Sequence, residues 1–140
     1  MKRRSGFTLL ELLVTIGIIG IIAATSIPSY AAAQRRLTVN QTSAELADVL
    51  QAARTKAMTS GADIEITITS SSVSQKNLRT NVTTIWAPPS GITFTTASLI
   101  LTRLTGLAVD TVNRLPADTT ITIQNSRTVE IASNGKISLP

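Results

Sequence analysis

The sequence predicts an α+β fold in which a long N-terminal helix packs against an antiparallel β-sheet. Three observations support this fold class: an apolar run over residues 7–27, an apolar stripe at helical spacing between Val39 and Ala57, and alternation of apolar and polar residues after Gly61. The chain has 140 residues, which is the length of one modest domain.

The composition excludes several classes of chemistry. The chain has no cysteine and no histidine, so it has no Cys or Ser-His nucleophile system, no Cys/His zinc site and no disulfide. Three of its 13 basic residues are Lys2, Arg3 and Arg4. The rest of the chain has ten basic and eight acidic residues. The body of the chain is therefore nearly neutral, and bulk charge does not indicate a nucleic-acid surface.

Residues 7–27 have the features of a single-pass membrane anchor. This run of 21 residues has one charge, Glu11, and as a helix it would span about 31 Å, which matches the apolar thickness of a bilayer. It is too long for the apolar region of a secretory signal peptide. Because the basic cluster immediately precedes the run, we expect the N-terminus in the cytoplasm and the rest of the chain outside.

Glu11 is the unusual residue of this anchor. A carboxylate in lipid is costly, although less so near the interface, and Glu11 lies about one turn inside the apolar run. It is either a tolerated interfacial acid or a group that pairs with a cation inside a protein assembly. The residues alone leave both interpretations open.

Residues 2–11 resemble the N-terminus of type IV prepilins. They comprise a short basic leader that ends in Gly6, then Phe7, then Glu11 as the fifth residue after the glycine, within an apolar helix. The resemblance implies that a membrane-embedded prepilin peptidase cleaves between Gly6 and Phe7 and methylates the new N-terminus at Phe7. It also implies that Glu11 neutralises the N-terminal amine of a neighbouring subunit during filament assembly.

Pro28 follows the anchor. A proline inside a helix removes one hydrogen bond and crowds the carbonyl of residue Ala24. Pro28 could end the helix, but a helical pattern resumes downstream, so we expect a kink or a locally melted turn in a longer helix, as the pilin resemblance also implies.

The second part of the helix is predicted from a narrow apolar face. Its members recur in steps of three and four residues, and Gly61 supplies a C-terminal stop. They are Val39, Ser43, Leu46, Leu50, Ala53 and Ala57. The stripe could pack on another helix or on a sheet, and the strand patterns that follow favour a sheet.

Beyond Gly61 the period changes to two, as in half-buried strands. The clearest strands are centred on Ile64–Ile68, Ile121–Ile123, Val129–Ile131 and Ile137–Leu139, and the weaker ones lie at 82–86, 92–94 and 99–101. The 22 threonines fit a β-rich domain. Residues 70–76, 87–91 and 106–118 are predicted as loops.

The last hairpin allows a specific prediction of register. A three-residue loop, Ser133-Asn134-Gly135, pairs Ile131 with Ile137 and Val129 with Leu139, and it places Gly135 where a left-handed backbone is needed.

Residues 44–68, 91–94 and 131–137 are similar to the GspH/FimT family of minor pseudopilins and minor pilins. This resemblance implies a structural subunit of a type II secretion pseudopilus that acts in protein secretion. The alternatives are a FimT-like minor type IV pilin, with a role in pilus assembly and DNA uptake, and a major pilin. A membrane-tethered β-domain that forms no filament is the remaining interpretation.

Neither catalysis nor strong DNA binding is indicated. Asp63 and Glu65 lie two residues apart like a paired acid site, but no aromatic platform for a sugar accompanies them, and we expect no enzyme activity, cofactor or metal. FimT-like pilins can bind DNA through a Gly-Arg-x-Arg motif, where this chain has one cation, Lys136. Arg127 and Lys136 could meet across neighbouring hairpins and give weak DNA contact.

The expected organisation is therefore a leader peptide over 1–6, a transmembrane and assembly helix over 7–27, an amphipathic helix over 28–60 and an antiparallel β domain over 61–140. The resemblance implies other pilins or pseudopilins, the prepilin peptidase and an inner-membrane assembly platform as partners. It places the chain in the cytoplasmic membrane before assembly, with an extracytoplasmic C-terminal domain.

Overall fold

The computed structural model describes residues 7–124 and 126–140, with Ser26 and Pro28 described by their backbone alone. The chain divides into two units, Met1–Leu37 and Thr38–Pro140, which are described separately. One helix, α1 (Leu9–Ser60), contributes to both units. The α+β class is confirmed: one long N-terminal helix precedes two antiparallel sheets, and its second half packs on them.

The part of α1 after Thr38 packs on the sheets through the predicted stripe. All six stripe positions are buried, with Leu46, Leu50, Ala53 and Ala57 at 0% exposure. Their spacing places them on one side of the helix, so burying them leaves the opposite side in water. The helix ends at Ser60, and Gly61 follows with φ +61, the left-handed conformation that stops helices.

The first sheet has five antiparallel strands in the order β3-β2-β1-β4-β5. Their bounds are β1 Ile64–Ile68, β2 Val73–Asn77, β3 Thr83–Trp86, β4 Ala97–Leu101 and β5 Ala108–Val109. In β1 the isoleucines at 64, 66 and 68 are buried, whereas Glu65 and Thr67 face away from the core. The alternation read from the sequence therefore matches the central strand.

The second sheet has three antiparallel strands, β6 Thr119–Ile123, β7 Arg127–Ile131 and β8 Ile137–Ser138. Its buried residues, including Ile121, Ile123, Val129 and Ile131, join the same core as the first sheet and the helix stripe. The sheets are also joined where residue Phe94 bridges to Ile123. One shared core thus holds the helix stripe and both sheets together.

The predicted register of the last hairpin is confirmed. Ile131 pairs with Ile137, the Ala132 N–H donates to the Lys136 carbonyl (2.9 Å), and Gly135 has φ +76. The predicted pair between Val129 and Leu139 does not form: β8 ends one residue earlier, at Ser138. Leu139 is about half exposed.

Two of the predicted loops contain strands. Residues 70–76 overlap β2. Val73 is the one apolar residue of this strand that faces inward, so the sequence shows no alternation of apolar and polar residues there. Gln75 takes an inward position because its Nε2 donates to the carbonyl of Val49 on the helix (3.2 Å). Residues 106–118 contain β5, which has only two residues. Conversely, the predicted strand at 92–94 forms a single bridge rather than a strand.

A contact between two turns closes the domain. The β7–β8 turn lies directly on the β4–β5 turn, so that a Cβ atom on Gly135 would overlap the carbonyl oxygen of Gly106. Arg54 of α1 lies against both glycines and its Nη2 donates to the carbonyl of Asn134 (3.4 Å). Glycine at position 135 is therefore required both by its backbone conformation and by the absence of space.

We expect Gly135→Ala to lower the free energy of unfolding by more than the cost of a left-handed backbone at alanine. A strained φ costs roughly 1–2 kcal/mol, and the overlap with Gly106 adds about 1–3 kcal/mol. Gly91→Ala is the matched control, because Gly91 has φ +87 but open space around it. Urea unfolding of the detergent-solubilised chain, followed by the fluorescence of its single tryptophan, Trp86, measures both variants. Equal losses of unfolding free energy would contradict the close contact.

Candidate functional site

The candidate site is the apolar segment of α1 in the first unit. Every large apolar side chain described between Phe7 and Leu37 is more than half exposed. These side chains surround the helix instead of forming one stripe, which is typical of a segment that is buried in lipid or among other helices.

The segment meets the length and hydropathy requirements of a membrane span. An 18-residue window of α1 reaches a mean hydropathy of 2.2, and none of it is buried within the described part of the chain. Two hydroxyl groups of the segment are satisfied locally: Thr15 Oγ1 donates to the carbonyl of Leu12 (2.7 Å) and Thr25 Oγ1 to that of Ile22 (3.0 Å). Such bonds remove the cost of placing hydroxyl groups in an apolar medium.

The helix begins with an N-cap at Thr8. The Glu11 backbone N–H donates to Thr8 Oγ1 (3.2 Å), and the Leu12 N–H donates to the Thr8 carbonyl (3.2 Å). Thr8 and Glu11 therefore stand at the N-cap and N3 positions of a capping-box sequence. This role was not predicted above, although the pattern Thr-x-x-Glu at residues 8–11 is a sequence signal for it.

Glu11 lies in the first turn of α1 and its side chain is exposed. The positive end of the helix dipole favours a carboxylate at this position. Among the described residues its carboxylate has no ion-pair partner, since the ion pair found there joins Arg114 to Asp63. Glu11 is thus an exposed acid in an apolar segment, able to accept charge-assisted hydrogen bonds from a cation of another molecule.

The helix continues through Pro28, as the sequence predicts for a longer helix. The side chain of Pro28 lies outside the described residues, and the kink remains a prediction. Ser29 Oγ donates to the carbonyl of Thr25 (3.3 Å), which adds a side-chain bond next to the position where the proline lacks an N–H. Gly6 also lies outside the described residues, whereas Phe7 precedes the helix and is 73% exposed.

The structure does not bring together Arg127 and Lys136, which the sequence allowed to meet across neighbouring hairpins. Arg127 begins β7, whereas Lys136 pairs with Ala132, just beyond the end of that strand. Five residues of strand separate the two positions, about 16 Å. Arg127 instead donates from Nε to Oδ1 of Asn40 on α1 (3.0 Å). No joint basic patch is formed by this pair.

Asp63 and Glu65 do not form a paired acid site. Asp63 precedes β1, and its carboxylate accepts the Arg103 backbone N–H (2.9 Å) and pairs with Nη1 of Arg114 (3.2 Å). Asp63 therefore fixes two loops. Within residues 7–124 and 126–140, no group of three or more acidic side chains converges on a position for a metal ion.

Asp110 supports its own turn. Backbone N–H groups of Asn113 and Val112 donate to its carboxylate and hold the pKa of Asp110 below its ordinary value of 3.8. Since the bonds are made to the charged form, they stabilise the turn above about pH 3.8, and this contribution is lost as the pH falls through the lowered pKa. Within the described residues the carboxylate thus serves as the cap of a turn.

Comparison with known proteins supports the same segment and the same fold. The family described as the prokaryotic N-terminal methylation motif matches residues 1–27. A search of curated protein sequences finds no significant match.

Two solved structures are similar to the chain. They are crystal forms of the type IV minor pilin FimU of Pseudomonas aeruginosa. One is 23% identical with a TM-score of 0.53 and covers 72% of this chain and 91% of its own. The other is 22% identical with a TM-score of 0.56 and covers 76% and 90%. The chain thus carries a prepilin-type N-terminal methylation motif on a pilin-like fold.

Proposed function

We propose that the chain is a membrane-anchored structural subunit of a type IV filament, a minor pilin. The observation that carries this proposal is the apolar segment from Phe7, exposed on all sides, with Glu11 as its single charge and a methylation motif over residues 1–27. Such a segment requires either lipid or the helices of other subunits, and a filament subunit uses both in turn.

The proposed cycle begins in the membrane. A peptidase removes residues 1–6 and methylates Phe7, which leaves a protonated amine next to the N-terminus of α1. Positive charge is unfavourable at that end of a helix, and the carboxylate of Glu11 in the first turn offsets it. When helices pack in a filament core, Glu11 pairs with the amine of a neighbouring subunit, where low water content strengthens the attraction.

The resemblance to FimU favours a pilus over a secretion pseudopilus. That likeness concerns the fold, at 22–23% identity, and the sequence resemblance to GspH/FimT proteins supports the pseudopilus as the second candidate. Deletion of the gene separates them: a pilin deletion reduces surface pili, whereas a pseudopilin deletion retains secreted proteins in the cell.

The mature protein is expected to begin with N-methylphenylalanine at position 7. Mass spectrometry of the chain purified from its own host measures this directly. Lys2, Arg3 and Arg4 retained on the mature chain would contradict the proposal and support a simple membrane tether.

Glu11→Ala is expected to reduce incorporation into sheared filaments about tenfold or more, because a charge-assisted pair in an apolar core is lost. The amount of chain in the membrane should not fall, since the anchor becomes more apolar. Glu11→Gln keeps the shape without the charge and should behave like Glu11→Ala. Glu130→Ala, which removes an exposed carboxylate of the β domain, is the control. Normal incorporation of the Glu11 variants would exclude the pairing role.

We expect no DNA retardation by the detergent-solubilised chain, even at low salt, because separated single cations bind phosphate weakly. Gel shifts with wild-type chain and with Arg127→Ala/Lys136→Ala measure this. A retarded band at low salt that the double variant abolishes would show DNA binding and would contradict the expectation.

A further inference from the structure

Strand β3 forms an uncovered edge of the five-stranded sheet. The opposite edge, β5, is covered where Val109 bridges to Pro116 and the Ala117 N–H donates to Ala108. The outer side of β6 is covered by residues 93–95, and β8 has only two residues. Within the described part of the chain, β3 is therefore the edge of four residues that no other segment covers.

The backbone of β3 has hydrogen-bonding groups that point away from the sheet. The Asn77 N–H donates to the Val82 carbonyl (2.9 Å), and bonded pairs alternate along an antiparallel ladder. Because Val82 and Asn77 form a bonded pair, every second residue of β3 bonds to β2. These residues are Thr84, opposite Gln75, and Trp86, opposite Val73. The N–H and C=O groups of Thr83 and Ile85 consequently face outward, which gives four groups for a further strand.

The side chains of this edge lack the features that normally prevent strand addition. Residues 82–86 contain no charge and no proline, whereas exposed edges usually carry a charged residue, a proline or a bulge. Val82 is 60% exposed and Ile85 is 68% exposed. A free β-branched edge of this kind is unfavourable for an isolated domain and favourable for β-strand addition.

Both ends of β3 are fixed before any partner binds. The turn that precedes it is held by Oδ1 of Asn77, which accepts the N–H groups of Arg79 (2.9 Å) and Thr80 (3.0 Å). At the other end Trp86 stacks on Phe94 with ring centroids 6.0 Å apart. Because the strand is already ordered, binding to it costs little conformational entropy.

We propose that β3 is a docking edge that accepts an extended, uncharged segment of a sister subunit within the filament. This inference rests on the proposed function. An edge of four residues buries much less than the roughly 1,000 Å² of a stable free interface, so it does not hold a partner from dilute solution. Packing of the apolar helices keeps sister subunits nearby and raises their effective concentration. The occupant is therefore another filament subunit, and a free dimer of this chain is excluded by the same argument.

The absence of cysteine allows a direct test in filaments. Thr83→Cys places a single thiol on the open edge, and Thr67→Cys places one on the exposed side of β1, which pairs with a strand on each side. Filaments sheared from cells that produce either variant are labelled with a maleimide-benzophenone probe, irradiated and analysed by mass spectrometry. We expect crosslinks from position 83 to one segment of a sister pilin, and far fewer from position 67.

Ile85→Pro tests the hydrogen bonds. It removes an outward N–H and leaves the bonds between β2 and β3, because proline is tolerated on an edge strand where its nitrogen faces outward. In the Thr83→Cys background, crosslinks should fall about tenfold, and Ile85→Val should retain them. Ile85→Lys, which places a charge on the edge, gives a second test if the proline variant is unstable.

The outcomes separate the two proposals. Three results would overturn the docking edge but leave the proposed function intact, provided that the chain is present in filaments. They are no crosslinks from position 83, equal crosslinks from positions 83 and 67, and crosslinks only to a second copy of the chain. Crosslinks unaffected by both Ile85→Pro and Ile85→Lys overturn it as well. Chain absent from sheared filaments overturns both proposals.

Discussion

The exposed apolar surface of residues 7–27 is the constraint on which the rest of this molecule depends. Leaving a large aliphatic side chain in water costs about 1.5–3 kcal/mol, and more than ten such side chains are exposed here. The total exceeds the net stability of a typical domain, about 5–15 kcal/mol. An apolar surface of this size is typical of a segment that is buried in lipid or among helices of other molecules. Thr15 and Thr25 follow the same constraint, because their hydroxyl groups donate to carbonyls of their own helix.

Glu11 is the charged exception in this apolar segment, and it restricts how the segment can pack against other helices. A fully apolar helix can slide or rotate against similar helices with little change in energy, whereas one buried charge permits only arrangements that bring a cation to it. The N-cap at Thr8 fixes the start of the helix within one turn of Glu11. The carboxylate is therefore held at a defined position relative to the chain start that cleavage at Phe7 would create. In this interpretation the charge sets the register of assembly, and the apolar side chains supply most of its energy.

The sequence predicts the elements whose pattern is set by burial, and it fails where other contacts decide. The helix stripe and the isoleucine strand β1 follow directly from side chains that alternate between core and solvent. Strand β2 is missed because Gln75 faces inward and is satisfied by a helix carbonyl, a contact that no local pattern encodes. Arg127 and Lys136 belong to the same hairpin, yet its register places Arg127 at the start of β7 and Lys136 beside its end. The sequence does not favour Asp63 as half of an acid pair, but it also gives no sign that Asp63 joins two loops, which is again a tertiary contact.

A protein is expected to violate local rules at its functional sites and to obey them elsewhere. The contact between Gly106 and Gly135 is unusual in sequence but lies within the chain, where Nη2 of Arg54 donates to the carbonyl of Asn134. Glu11 and the edge of β3 are different, because their carboxylate and backbone groups lack partners among the described residues. In an isolated molecule the first places a charge in an apolar segment and the second leaves a strand edge unprotected. Both features therefore fit the second molecule that the proposals above assign to them.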